Sequence, residues 1–259
     1  MSKLRDGWVK TALVLALLLP VWFLVAALGT KFGVLDWRIG FGLMVFRLGG
    51  LLLLGVLVLA IVGLLLAVLV KPRRGWGRAL VAVAIPALAL GFAASVMSKA
   101  KDIPPIHDIA TDVQDPPAFS QAVIDARAAI AGGNPIAPMN VPVPALKGKT
   151  VGELGKAANP TLAPVTLSQS VPDATKLIAE VAKAEGLKVT SAGDGVVEAV
   201  AETFWFGFKD DVVFRIRPAA TGAGSVVDIR STSRVGMSDL GANGKRIAAL
   251  SAAIKAKAG

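Results

Sequence analysis

The sequence predicts an α+β protein in two parts: three N-terminal transmembrane helices, then an extracytoplasmic two-layer domain whose antiparallel sheet is covered by helices. Three observations carry this. Apolar runs long enough to cross a bilayer are confined to the first hundred residues. Composition changes abruptly after Lys101. Beyond it, short alternating stretches follow one another between amphipathic stretches of helical period. The boundary is read as an anchor over residues 1–102 and a domain over residues 103–259.

The apolar runs 11–28, 48–70 and 79–97 are about 18 to 23 residues long, enough at 1.5 Å per residue to cross a hydrocarbon layer of roughly 30 Å. They raise the mean hydropathy of the chain to +0.64 and make the lipid bilayer its first expected partner. Pro20 and Pro86 fall inside runs, where a local kink accommodates them. Arg47 stands near the end of a run, where its side chain can reach the interface. Ala87, Gly91 and Ser95 recur every fourth residue on the third span, the spacing of a helix-packing surface within this bundle or against a partner's helix.

Charge separates the two parts. Residues 1–102 carry 12 Lys and Arg against three acidic residues, whereas residues 103–259 carry 16 against 15. A nucleic-acid binder concentrates positive charge on its working domain, so the net charge of +10 does not point to nucleic acid. The basic loop of residues 71–78 is the densest between spans, and the positive-inside rule assigns it to the cytoplasm. The expected placement is a bacterial inner membrane with the C-terminal domain in the periplasm. A cleaved signal peptide ending near Ala27-Leu28-Gly29 is the alternative for the first run, and it leaves the domain on the same side. With no cysteine in the chain, neither a disulfide nor thiolate chemistry is available.

In the second part, Ile103-Pro104-Pro105 ends the last helix. A short helix over residues 120–131 follows the Asp115-Pro116-Pro117 corner and stops at Gly132-Gly133. Residues 134–164, with five prolines, read as an irregular crossing segment, long enough to suggest a functional or partner-facing role. A strand at 165–168 and a helix at 172–185 come next, the helix with Ala174, Leu177, Ile178 and Val181 on one stripe. Strands are expected at 187–192, 196–206, 211–218 and 226–235, and a last helix is capped by Ser238-Asp239. The final strand pair is a hairpin: Val212, Phe214 and Ile216 alternate with Asp211, Arg215 and Arg217, and Thr221 to Ser225 supply the turn.

Two stretches carry a resemblance. The segment TFWFGFKDD with its strand pair and the run SRVGMSDLGAN, together with IHDIATDVQDPPAF upstream, resemble the bacterial membrane proteins grouped as domain of unknown function 1499. The likeness covers most of residues 103–254. It implies membership of a family whose activity is not established, and no catalytic residue carries over from it.

Three groups are candidate sites. His107, Asp108 and Asp112 form a polar cluster, one imidazole with two carboxylates, at a spacing that serves turns as well as chemistry. Trp205, Phe206 and Phe208, with Phe204, are read as core at a strand end or, since they gather more aromatic surface than a corner needs, as a patch facing a partner or the bilayer surface. Arg215, Arg217, Arg230 and Arg234 lie on the polar strand face, either paired across strands on a solvated surface or presenting guanidinium forks to an acidic partner or phosphate. The chain has no nucleophile elbow, paired-histidine zinc helix, phosphate loop or dinucleotide fingerprint. No catalytic residue, metal or cofactor is therefore assigned. The expected function is binding of another membrane or periplasmic protein, as an accessory subunit of a membrane or envelope complex. Lipid or lipophilic-ligand binding is the alternative, and an envelope hydrolase built on His107 the third reading.

Overall fold

The computed structural model describes every residue except Thr221, the first residue of the expected hairpin turn, which lies outside the described residues. The chain divides into two compact units: Met1–Lys101 with Phe204–Gly207, and Asp102–Thr203 with Phe208–Gly259.

The first unit consists of helices α1 (Ser2–Lys31), α2 (Gly49–Leu69) and α3 (Trp76–Ala100), with a π-helical segment, Arg38–Arg47, leading into α2. Ser2–Lys31, Arg38–Leu69 and Trp76–Ala100 are each long and apolar enough to cross a membrane. The first and third outrun the apolar stretches that announce them, because flanking residues continue the helical hydrogen bonding, and the second gains the π-helical segment ahead of α2. Small side chains set the seams: Ala12 and Ala16 of α1 meet Ala60 of α2 and Ala82 of α3, with Leu19, Leu53 and Val56 filling the gaps. Large apolar side chains such as Leu17, Leu54, Leu88 and Phe92 face outward, as lipid-facing positions should. Indole N–H groups find carbonyls across helices, Trp8 on Leu59 at 2.8 Å and Trp22 on Met44 at 3.1 Å.

Ala87, Gly91 and Ser95 do not form a seam of this bundle. They are exposed, and nothing approaches the position of a Cβ on Gly91 within 4 Å. The buried stripe of α3 is Ala79, Ala82 and Pro86, one residue and so about 100° away around the helix.

The second unit is a six-stranded antiparallel sheet with helices. Its strands are β1 (Asp108–Ala110), β2 (Val165–Leu167), β3 (Lys188–Gly193), β4 (Val196–Glu202), β5 (Lys209–Pro218) and β6 (Ser225–Ser233). They are ordered β1-β6-β5-β4-β3, with β2 also paired to β6. Helices α6 (Val171–Ala184) and α7 (Ala242–Ala258) cover the apolar face, where Ile178, Val181, Ile247, Leu250 and Ile254 pack on Val197, Val212, Phe214, Val227 and Ile229. Every one of these side chains is buried, as period-2 strands facing period-3.6 helices require.

Three details differ from the sequence reading. β4 ends at Glu202, because the backbone turns at the Thr203–Phe208 corner before the aromatics. Residues 108–110 are a strand, not only a corner. The irregular stretch 134–164 contains a helix, α5 (Val151–Ala158), started by a capping box in which Thr150 and Glu153 exchange side-chain and backbone hydrogen bonds. Gly152 and Gly155 let α5 lie close to its neighbours: a Cβ on Gly152 would stand 3.0 Å from the Met139 carbonyl oxygen, and one on Gly155 3.3 Å from Ile109.

Candidate functional site

Most of the polar face over β5 and β6 is buried from solvent. It is covered by α4 (Gln121–Ala128) and by loop residues around it, and its charges are matched within the domain. In the register of β5 and β6, Arg215 stands opposite Asp228, and Asp211 opposite Thr232. Buried Asp228 accepts from both Arg215 and Arg217 at 3.0 Å. Arg215 also reaches Asp115 at 2.7 Å and Asp112 at 3.6 Å. Burial alone would lower the pKa of Arg215; hydrogen bonds to Asp228 and Asp115 outweigh it and raise the pKa above its ordinary value. Arg230 holds Asp108 by two bonds, of 2.7 and 3.0 Å, while stacking over Phe119 at 5.6 Å. Arg234 reaches Asp211 at 2.6 Å. Glu198 does not oppose Arg215, because the β4–β5 register sets it against Val213. It instead accepts the N–H and O–H of Ser120 at 2.6 and 2.7 Å, fixing the start of α4.

The four arginines named from sequence are thus brought together, but with their forks engaged by carboxylates of the chain. Only Arg217 keeps a guanidinium nearly half exposed. His107, Asp108 and Asp112 are not brought together. Asp108 turns to Arg230 on the polar side, whereas His107, just before β1, meets the domain through its backbone carbonyl. Asp112 caps its own turn through the N–H groups of Gln114 and Asp115. Among the described residues no group of three or more His, Asp or Glu side chains can hold a metal ion.

The aromatics named from sequence divide. Phe206 and Phe208 are half-buried, and Phe204 and Trp205 are 74% and 54% exposed. Phe204–Gly207 belongs to the first unit, where Phe206 meets Phe41 edge to face at 5.2 Å.

A site the sequence reading missed lies at the outer edge of the sheet. β1 pairs with Arg230 to Thr232 of β6, and β2 with Ser225 to Val227 of the same strand. Between them the edge is split. There Thr111 closes the gap, its N–H donating to the Ile229 carbonyl and its hydroxyl accepting from the Ile229 N–H, both at 2.9 Å. The chain leaves the edge after Thr111 and returns at Val165. A cleft of about 520 Å³ opens where the departing and returning segments diverge beneath α5. Gln114, Asn140 and Lys156 line it with side chains that have no polar partner among the described residues, and Met139 and Leu162 line it with apolar surface. Glu153 lines it too; the Thr150 N–H and hydroxyl hold its carboxyl below the usual glutamate range. The amides of Gln114 and Asn140, the Lys156 cation and the carboxylates of Asp112 and Glu153 on a partly apolar floor suit a polar chain held by hydrogen bonds. The signal legible in sequence was the Thr150-x-x-Glu153 box inside a proline-rich stretch.

The motif residues serve the fold for the most part. Asp239 accepts from the N–H groups of Gly241 and Asn243 to start α7. Asn243 donates to the His107 carbonyl at 3.0 Å and accepts from Ser231 at 2.6 Å. Asp210 pairs with Arg246 at 2.7 Å. Comparison with curated proteins and with solved structures finds no match. Residues 108–254 match the family described as Protein of unknown function (DUF1499). That match spans more than half of the chain, reaching from the first residue of β1 to the last buried turn of α7, and the chain belongs to the DUF1499 family.

Proposed function

We propose that this chain is an integral protein of a bacterial inner membrane whose C-terminal domain lies in the periplasm and captures a segment of another membrane or periplasmic protein, as an accessory subunit of an envelope complex. The cleft at the split sheet edge carries the reading: it combines unpartnered amides and opposite charges with a volume in the range of specific binding sites. Most of its walls come from the proline-rich segment 134–164, which is longer than a plain connection in a compact domain. The lipophilic-ligand alternative calls for an enclosed apolar lining, and the polar rim of Gln114, Asn140 and Lys156 favours a polypeptide instead. The density of the basic loop at residues 71–78 supports the orientation.

The test is co-purification from mild-detergent extracts with wild type and an Asn140→Ala, Lys156→Glu double variant. The expected outcome is a protein retained by wild type and lost from a variant that melts at the same temperature. Equal retention by both refutes the cleft as the capture site. Reporter fusions after Gly75 and Gly259 test the orientation, which fails if the reporter at Gly75 is active in the periplasm and that at Gly259 in the cytoplasm.

A further inference from the structure

We infer that the Phe204–Gly207 corner is a membrane-interface anchor, with Phe204 and Trp205 seated among lipid headgroups of the leaflet at which α1 ends. This is independent of the cleft and rests on the three apolar helices crossing a bilayer.

The corner is part of the helical unit. Lys31, the last residue of α1, donates from Nζ to the Phe204 carbonyl at 2.6 Å, and the same ammonium stands 4.7 Å over the Phe204 ring. Phe206 packs edge to face on Phe41, in the π-helical segment that begins the second span. Gly207, at φ +65°, lies against Lys31 so closely that a Cβ there would stand 3.2 Å from the lysine Cα. The corner is thus tied to the junction where the first span stops and the second starts.

That junction has a definite depth. A span that ends on a lysine ends where the ammonium can meet water and phosphate, so Lys31 marks the boundary between acyl chains and headgroups. At this depth aromatic side chains are favoured, since an indole or phenyl ring buries apolar surface while the indole N–H stays among polar groups. Phe204 and Trp205 have the required form. They stack edge to face at 5.1 Å and remain largely exposed, although strand-end corners elsewhere in the chain expose small or polar residues such as Gly222 and Asp194. Two adjacent exposed rings are a cost in water and an asset at a bilayer surface. Lys31 adds attraction for lipid phosphate next to them.

The absence of cysteine makes the test direct. Phe204→Cys and Trp205→Cys are each spin-labelled in the full chain, reconstituted in phosphatidylcholine and phosphatidylglycerol vesicles, and probed by collision with oxygen and with a water-soluble nickel chelate. Leu65→Cys, exposed on α2, is the hydrocarbon reference, and Lys149→Cys, on an exposed loop, the aqueous one. The expected result is that both labels report a depth between the two references, with oxygen preferred over nickel. Nickel preference equal to that at Lys149 overturns the proposal in favour of a solvated loop. Protection from both colliders overturns it in favour of a protein contact.

Discussion

Arg127 on α4 donates to Asp211 on β5 at 2.7 Å with both side chains about 1% exposed, so a helix and the middle of the sheet are joined by an ion pair sealed from water. The second oxygen of Asp211 takes Arg234, and the same Arg127 reaches the carbonyls of Asn134 and Ser233. One carboxylate therefore holds three segments of the domain at a single point. Such a pair adds little over a well-packed apolar substitute, but losing one member leaves the other charged and stranded.

Asp211→Ala is accordingly expected to destabilise the domain by about 3–5 kcal/mol, since it strands two arginines at once. Urea unfolding of the full chain in detergent, followed by near-ultraviolet circular dichroism, checks this. A loss below about 1 kcal/mol, the range of exposed pairs, contradicts the sealed-pair description.

Arg215→Glu places a carboxylate among Asp112, Asp115 and Asp228, all within 4 Å of the present guanidinium. The expected outcome is a clearly lowered melting temperature, whereas Arg217→Glu, at the more exposed position, is milder. The order of the two melting temperatures is the measurement.

His107→Ala is expected to leave the fold intact, with a change under about 1 kcal/mol, because the residue serves the structure through its backbone carbonyl, which accepts from Ser233 and Asn243. Unchanged melting combined with lost function in cells would revive the hydrolase reading.

Glu153 has its folded pKa depressed by the Thr150 N–H and hydroxyl. A depressed carboxylate contributes stability that is present above the ordinary glutamate pKa and lost as pH falls through the folded value. NMR titration should find the Glu153 midpoint below that of a free glutamate, and Thr150→Val should move it upward.

Gly152→Ala sets a methyl group 3.0 Å from the Met139 carbonyl oxygen, a backbone atom that cannot swing aside. A cost of about 1–3 kcal/mol and a displaced α5 are expected, read as faster amide exchange over residues 151–158.

Much of this architecture was legible beforehand. Apolar length alone announced three spans, because a bilayer of fixed thickness demands it, and period-2 alternation in residues 211–217 assigned Val212, Phe214 and Ile216 to the core. From β2 onward the strand and helix order of the second unit followed from local pattern in the same way, whereas β1 and α5 did not. What required the tertiary structure was pairing over long sequence separations. Nothing near Arg230 announces Asp108 as its partner, and nothing near Asp211 announces Arg127; register and crossover decide both, and with them whether a charged strand face meets water or its own chain. The same holds for the cleft, which exists because β1 and β2 divide one edge of β6 between them. Sequence determines which residues are apolar, flexible or charged along the chain; only the fold decides which of those charges remain unpaired, since that depends on neighbours brought from a hundred residues away or more.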